Sequence, residues 1–206
     1  MTSTARVPAV EITGLYGTVV KVFSKRMLGK VPSSLGVLYQ NPAVLKLSLG
    51  LGQKTSRWHA CDADLKSYAH MAVAALLGCS WCLDLGYFQA HNDGLDLTKA
   101  REIPRWRESD VFTPLERDVL EYAEAMSQTP PAVTDELSGR LLDQLGAPAL
   151  VELTSWVALA NLYSRTNVAL GIESDGLAAS CDLPPMPQRS SAQPLPAQTS
   201  SAQPAA

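Results

Sequence analysis

The apolar positions of this chain recur at helical spacing almost from end to end. Over residues 12–28, Leu15, Val19, Val22, Phe23 and Met27 share one side, while Lys21, Lys25, Arg26 and Lys30 fall mostly on the other. This predicts an amphipathic helix docked on the body or on a neighbouring subunit. Pro32 and Pro42 bracket a short apolar segment. Asn41-Pro42 then opens a helix through Val44, Leu45, Leu47, Leu49 and Leu51, closed by Gly50, Gly52 and the polar run to Trp58. Asp62 and Asp64 place acids at the start of a helix that becomes an Ala-rich run over residues 72–77. A further helix leads from Cys79 through Leu83, Tyr87 and Phe88 to the turn signal His91-Asn92-Asp93-Gly94. Residues 95–110, with Pro104 inside, read as a short helix and a loop. Thr113-Pro114-Leu115-Glu116 combines a capping box with proline at the first helical position, and Leu115, Val119, Tyr122, Ala123 and Met126 form the stripe that follows. Thr134-Asp135-Glu136 opens another helix ending near Gly146. The last helix runs from Pro148 to Gly171 and is apolar around most of its circumference, the pattern of a helix buried on several sides, often at a subunit interface. Alternating apolar and polar residues persist nowhere, so the expected fold is all-α.

The same pattern divides the chain. Residues 1–39 read as an N-terminal segment, a loose leader followed by the amphipathic helix; residues 40–180 read as one helical domain. Residues 181–206 shift to Pro, Ala, Ser and Gln and read as a disordered tail. The 206 residues carry 17 basic and 20 acidic side chains, a net charge of −3, which gives no reason to expect nucleic acid as a partner. A charged leader followed by an apolar core and a cleavage site is not evident, and the uncharged run over residues 71–83 is too short to span a bilayer. A cytoplasmic protein with no membrane partner is the expectation.

Four cysteines are too few for a secreted disulfide framework, and two of them form Cys79-Ser80-Trp81-Cys82. Gly78, just before, is suited to the left-handed conformation that ends one helix and starts the next. Cys79 then falls at a helix start, where unpaired N–H groups and the positive end of the helix dipole favour a thiolate. Side chains at i and i+3 have Cβ atoms roughly 5–6 Å apart, whereas a disulfide wants about 3.8 Å. The first turn must tighten to oxidise, which is easiest beside a glycine, and the bridge should be strained and reducible. Cys79 and Cys82 are thus a candidate redox pair. The competing readings are two small core residues, or half of a zinc site. Neither Cys61 nor Cys181 has a CxxC or HxxxH partner to complete such a site, and no metal or cofactor is expected. Asn161 and Arg165, four apart on the last helix, read as a buried polar pair satisfying neighbouring backbone or a carboxylate such as Asp84.

An Ala-rich helix followed by Gly-Cys-x-x-Cys at the start of a second helix resembles the carboxymuconolactone decarboxylase and alkylhydroperoxidase D family. Residues 112–117 (Phe-Thr-Pro-Leu-Glu-Arg) and 119–124 (Val-Leu-Glu-Tyr-Ala-Glu) are similar too, as is the last helix from Glu152-Leu153-Thr154 through Ala158, Asn161, Arg165 and Asn167. The resemblance covers roughly residues 40–172. It implies an all-helical domain assembled as trimers or hexamers. In members with CxxC it implies peroxiredoxin-like chemistry, in which one thiolate reduces a peroxide and the second cysteine resolves the sulfenic acid. The attacking sulfur in that family maps to Cys82, whereas helix-end electrostatics alone favour Cys79.

This sequence departs from the family's peroxidases at three positions. Ser67 stands where they have a glutamate, Gly86 where they have a histidine, and Trp81 where a histidine often precedes the second cysteine. The expected substitute base is His70, one turn beyond Ser67 on the same face. His91 falls on the opposite face from Cys82 and reads as a solvated or structural histidine. Gly86 either leaves room for a substrate or lets another helix pack closely. The reading is an oligomeric thiol oxidoreductase acting on a hydroperoxide or a disulfide, with an unknown thiol electron donor. Its rivals are a same-fold enzyme acting on a small organic acid or lactone, in the manner of the decarboxylases, and a non-enzymatic, redox-sensing helical oligomer.

Overall fold

The computed structural model of the protein describes residues 5–181, so the expected disordered tail lies almost wholly outside the described residues. Those residues form nine α-helices and two short 3-10 turns, with no strand among them. The helices are α1 (Gly14–Leu28), α2 (Ser33–Leu38), α3 (Pro42–Thr55), α4 (Ala63–Leu77), α5 (Ser80–Asp93), α6 (Leu97–Glu102), α7 (Pro114–Ser127), α8 (Asp135–Leu145) and α9 (Ala147–Leu170). The 3-10 turns are Ile103–Glu108 and Leu177–Cys181. Their starts follow local chemistry. Asn41, Asp62, Asp96, Thr113 and Thr134 each accept backbone N–H groups of the first turn, and Thr113 with Glu116 completes a capping box.

The molecule is built around α4. Ala69, Met71, Ala72, Val73 and Ala74 are at most 1 % exposed. The small side chains among them let α5, α7 and α9 all pack closely on this one helix. A polar clamp fixes α9 on α4: Lys66 Nζ donates to Glu152 Oε1 at 2.6 Å and to the Trp58 carbonyl at 2.7 Å. Glu152 Oε2 accepts the Ala60 N–H, and Trp156 Nε1 donates to the Lys66 carbonyl. A buried ion pair is tolerable only when its remaining hydrogen-bonding groups are met in this way.

The N-terminal segment differs from expectation in one respect. The described part of the expected loose leader is tied to the body at a few points. Arg6 donates to the carbonyls of Val168 and Ala169 at the end of α9, the Val10 N–H to Gly36, and Ile12 is buried. Helix α1 sits on the small second core formed by Ile12, Val20, Leu35 and Leu45, but it buries Gly17, Val20 and Ser24. Its larger apolar residues, including Leu15 and Val19, face outward. Periodicity places these residues on one side of a helix but cannot say that this side is the one the body covers. Among the described residues, no helix is long and apolar enough to cross a membrane.

Candidate functional site

Helix α4 ends on Gly78, whose left-handed backbone (φ 72°, ψ 30°) lets the N–H groups of Gly78 and Cys79 return to the carbonyls of Ala75 and Ala74. The reversal makes Cys79 the N-cap of α5, and its Sγ accepts the Cys82 N–H at 3.2 Å. Cys79 and Cys82 are joined by a disulfide, with Cα atoms 5.3 Å apart. Each is 1 % exposed. Cys61 is a free and buried thiol. Burial pushes its pKa up to about 11 against the pull of Lys66, so it stays protonated at neutral pH.

His70, on α4, is half-buried. Desolvation pushes its pKa down to about 4, while a hydrogen bond to the Cys82 backbone pulls the other way. It is therefore a neutral ring beside the start of α5. Ser67 turns its hydroxyl back to the Ala63 carbonyl. Gly86 is a site of close helix packing: a Cβ placed there falls 2.7 Å from Met71 Cγ, and Met71 is fully buried. Any side chain at 86, a histidine above all, would have to displace Met71. Trp81 donates its indole N–H to Asp175. His91 is exposed. Asn161 and Arg165 satisfy Ser127 and the Val157 carbonyl, not Asp84.

Two features of the site were not anticipated from the sequence. The first is Asn167, in the last turn of α9, whose Nδ2 lies 3.4 Å from Cys82 Sγ and 3.8 Å from Cys79 Sγ. The second is the segment after α9, which folds back over α5. Ser174 N–H donates to Ser80 Oγ, and the Leu177 and Ala178 N–H groups donate to the Asp84 carboxylate at 2.8 and 2.7 Å. Neither contact has a local signal, because each joins residues more than 80 positions apart. Among the described residues no group of three or more His, Cys, Asp or Glu could hold a metal ion.

The all-helical body that carries this buried Cys-x-x-Cys has an AhpD-like fold. The profile of the Carboxymuconolactone decarboxylase family matches residues 42–125. The chain is 33 % identical over 161 residues to the uncharacterized protein YnjA of Escherichia coli (strain K12), an alignment spanning 78 % of this chain and 87 % of YnjA. It belongs to the carboxymuconolactone decarboxylase family. Its fold is shared with the debrominase Bmp8 in complex with 2,3,4-tribromopyrrole (TM-score 0.74, 20 % identity, 86 % of this chain and 96 % of that one). It is shared equally with an AhpD-core, peroxidase-related protein from Ralstonia eutropha JMP134 (TM-score 0.74, 14 % identity, 86 % and 96 %).

Proposed function

We propose that this chain is a thiol oxidoreductase that reduces hydroperoxides, or disulfides, through Cys79 and Cys82. The observation that carries this reading is the cysteine pair at the first turn of α5, already joined and with a hydrogen-bond donor beside each sulfur. The family and the fold, shared with peroxidase-related proteins and a debrominase, support an enzyme.

Cys82 thiolate attacks one oxygen of the peroxide. The O–O bond breaks, Cys82 becomes a sulfenic acid, and the departing alkoxide takes a proton to leave as alcohol. Cys79, ionised by its place at the helix N-terminus, attacks the sulfenic sulfur; the S–S bond forms and hydroxide leaves as water after protonation. The dithiol has lost two electrons and the peroxide has gained them. An external dithiol then restores the pair. His70, neutral and meeting Cys82 at its backbone, is the proposed proton acceptor for that thiol; burial weakens it as a base and slows the transfer at neutral pH. The protein works as a homo-oligomer, a trimer or hexamer by resemblance.

The test is to add one equivalent of hydrogen peroxide, cumene hydroperoxide, oxidised glutathione or 2,3,4-tribromopyrrole to the reduced protein. Thiols are counted before and after. A substrate of the proposed reaction removes two thiols, yields a Cys79–Cys82 crosslink by mass spectrometry, and is turned over with dithiothreitol. In Cys79→Ser the sulfenic acid should persist on Cys82 and be trapped by dimedone. Two thiols that stay free with every probe would overturn the reading in favour of the decarboxylase-like rival. Oxidation in one round without turnover would favour the redox sensor.

A further inference from the structure

The buried stripe of α9 runs Leu153, Val157, Ala160, Ser164, Asn167. It is apolar along its length and turns polar only in the last two turns, where Asn167 meets the cysteines. Nothing about packing asks for this change. A buried amide is costly unless its hydrogen bonds are made, and a neutral sulfur is a weak acceptor. Asn167, 5 % exposed, nevertheless aims its Nδ2 between the two sulfurs and closer to Cys82. Ser164, one turn earlier on the same face, has a fully buried hydroxyl with no hydrogen-bond partner. Hydrogen bonds gain most when one partner is ionised, so this polar end of α9 is poorly matched to the disulfide and well matched to a thiolate.

We propose that Asn167 is a catalytic residue: its side-chain amide donates to Cys82 Sγ in the reduced protein, holding it as the thiolate and favouring the dithiol over the disulfide. Position 86, on α5 itself, is closed to any such side chain by Met71. The backbone prepares it for the task. The Gly171 and Ile172 N–H groups return to the carbonyls of Val168 and Asn167, fixing the turn that carries the amide. The ionisable groups around the pair act on it from other directions. His70 approaches from α4 at the Cys82 backbone. Asp84 of α5 is engaged by Leu177 and Ala178, and Asp175 of the following segment is engaged by Trp81 and Ser33. From α6, Lys99 is paired with Glu116, and α9 itself presents the neutral Ser164 and Asn167. Asn167 is thus the side chain placed to donate to Cys82 Sγ itself.

This inference rests on the dithiol reading above but is tested without any substrate. In a Cys79→Ser background, the pKa of Cys82 is read from the pH dependence of iodoacetamide labelling, resolved by mass spectrometry. Asn167→Ala should raise it by about one unit, a tenfold loss of labelling rate at pH 7. Asn167→Asp, nearly isosteric but anionic, should raise it further. In the two-cysteine protein, Asn167→Ala should shift the disulfide equilibrium with glutathione about tenfold toward the oxidised form, roughly 30 mV. In the wild type, the side-chain amide resonances of Asn167 should titrate with the Cys82 pKa, a measurement that stands even if the variants do not fold. A Cys82 pKa unchanged in folded Asn167→Ala, or amide resonances indifferent to thiol ionisation, would overturn this role while leaving the redox reading intact. Failure of the wild-type pair to form a reversible disulfide would instead remove the redox reading itself.

Discussion

At the scale of single residues, the site replaces formal charge with neutral groups held in place. Cys79 takes its help from the backbone, through the Cys82 N–H and the end of α5. Cys82 has Asn167, and the nearby titratable ring, His70, is kept neutral by burial. That burial has a consequence for stability. A histidine of pKa 6.5 in the unfolded chain and about 4 in the fold binds a proton more readily when unfolded. Its contribution is therefore fully present above pH 6.5 and is lost as the pH falls toward 4. At 1.36 kcal/mol per unit the loss is about 3 kcal/mol. Urea unfolding of the oxidised protein should show this decline between pH 6.5 and 4, and His70→Asn should flatten it. The same variant should slow peroxide consumption several-fold without preventing the disulfide. A pH–stability slope that survives His70→Asn would assign the decline to the carboxylates. A pH–rate profile unchanged in that variant would return His70 to a packing role.

Among elements, the segment after α9 does the most to close the site. Residues 172–178 cover α5 through Ser80, Trp81 and Asp84, each lying within or just beyond the Cys-x-x-Cys. Trp81 is thereby explained as an anchor for this strap. Asp84 is the strongest tie, since its carboxylate accepts two buried N–H groups. Hydrogen bonds to a charged group are worth roughly 1.5–3 kcal/mol each, so Asp84→Ala should cost at least about 3 kcal/mol of unfolding free energy. The loosened strap should also speed alkylation of the reduced cysteines. A variant of wild-type stability would show that the strap contributes nothing to the fold. The sequence revealed the local parts of this arrangement and missed the distant ones for one physical reason. A cap, a glycine reversal and a two-residue spacer are written in neighbouring residues, so α3, α4, α7 and the Cys79–Cys82 pair could be read directly. Asn167 and the strap depend on how α9 crosses α4, which the Lys66–Glu152 clamp decides and no short window contains. Gly86 lay between two meanings until Met71 was in place beside it.

At the scale of the whole molecule, the described residues leave one large feature unaccounted for within a single chain. Leu15 is 91 % exposed, and Val19, Val22, Phe23 and Met27 are each more than half exposed, all on one side of α1. Val44 and Leu47 of α3 add to the exposed apolar surface, while α9 shows Val151 and Leu162. The sequence reading offered both α1 and α9 for a subunit contact, and the more exposed stripe is on α1. Fully burying one such side chain is worth about 1.5–3 kcal/mol, so the five on α1 supply on the order of 10 kcal/mol. Association costs an estimated 4–15 kcal/mol, so α1 alone would roughly break even, and a stable assembly needs further surface such as that on α3. A second copy of the chain is the occupant we propose. Helix α1 carries Lys21, Lys25 and Arg26 with no acidic residue, whereas the whole chain has a net charge of −3, so the rest of a second copy is acidic enough to complement it. Light scattering at micromolar concentration should give at least a dimer, with a trimer or its multiple expected from the family resemblance. Val19→Glu with Phe23→Glu should dissociate it without unfolding the monomer, because neither side chain is buried in the isolated chain. A monomeric wild type would overturn the assembly, and an oligomer that survives both substitutions would move its interface away from α1.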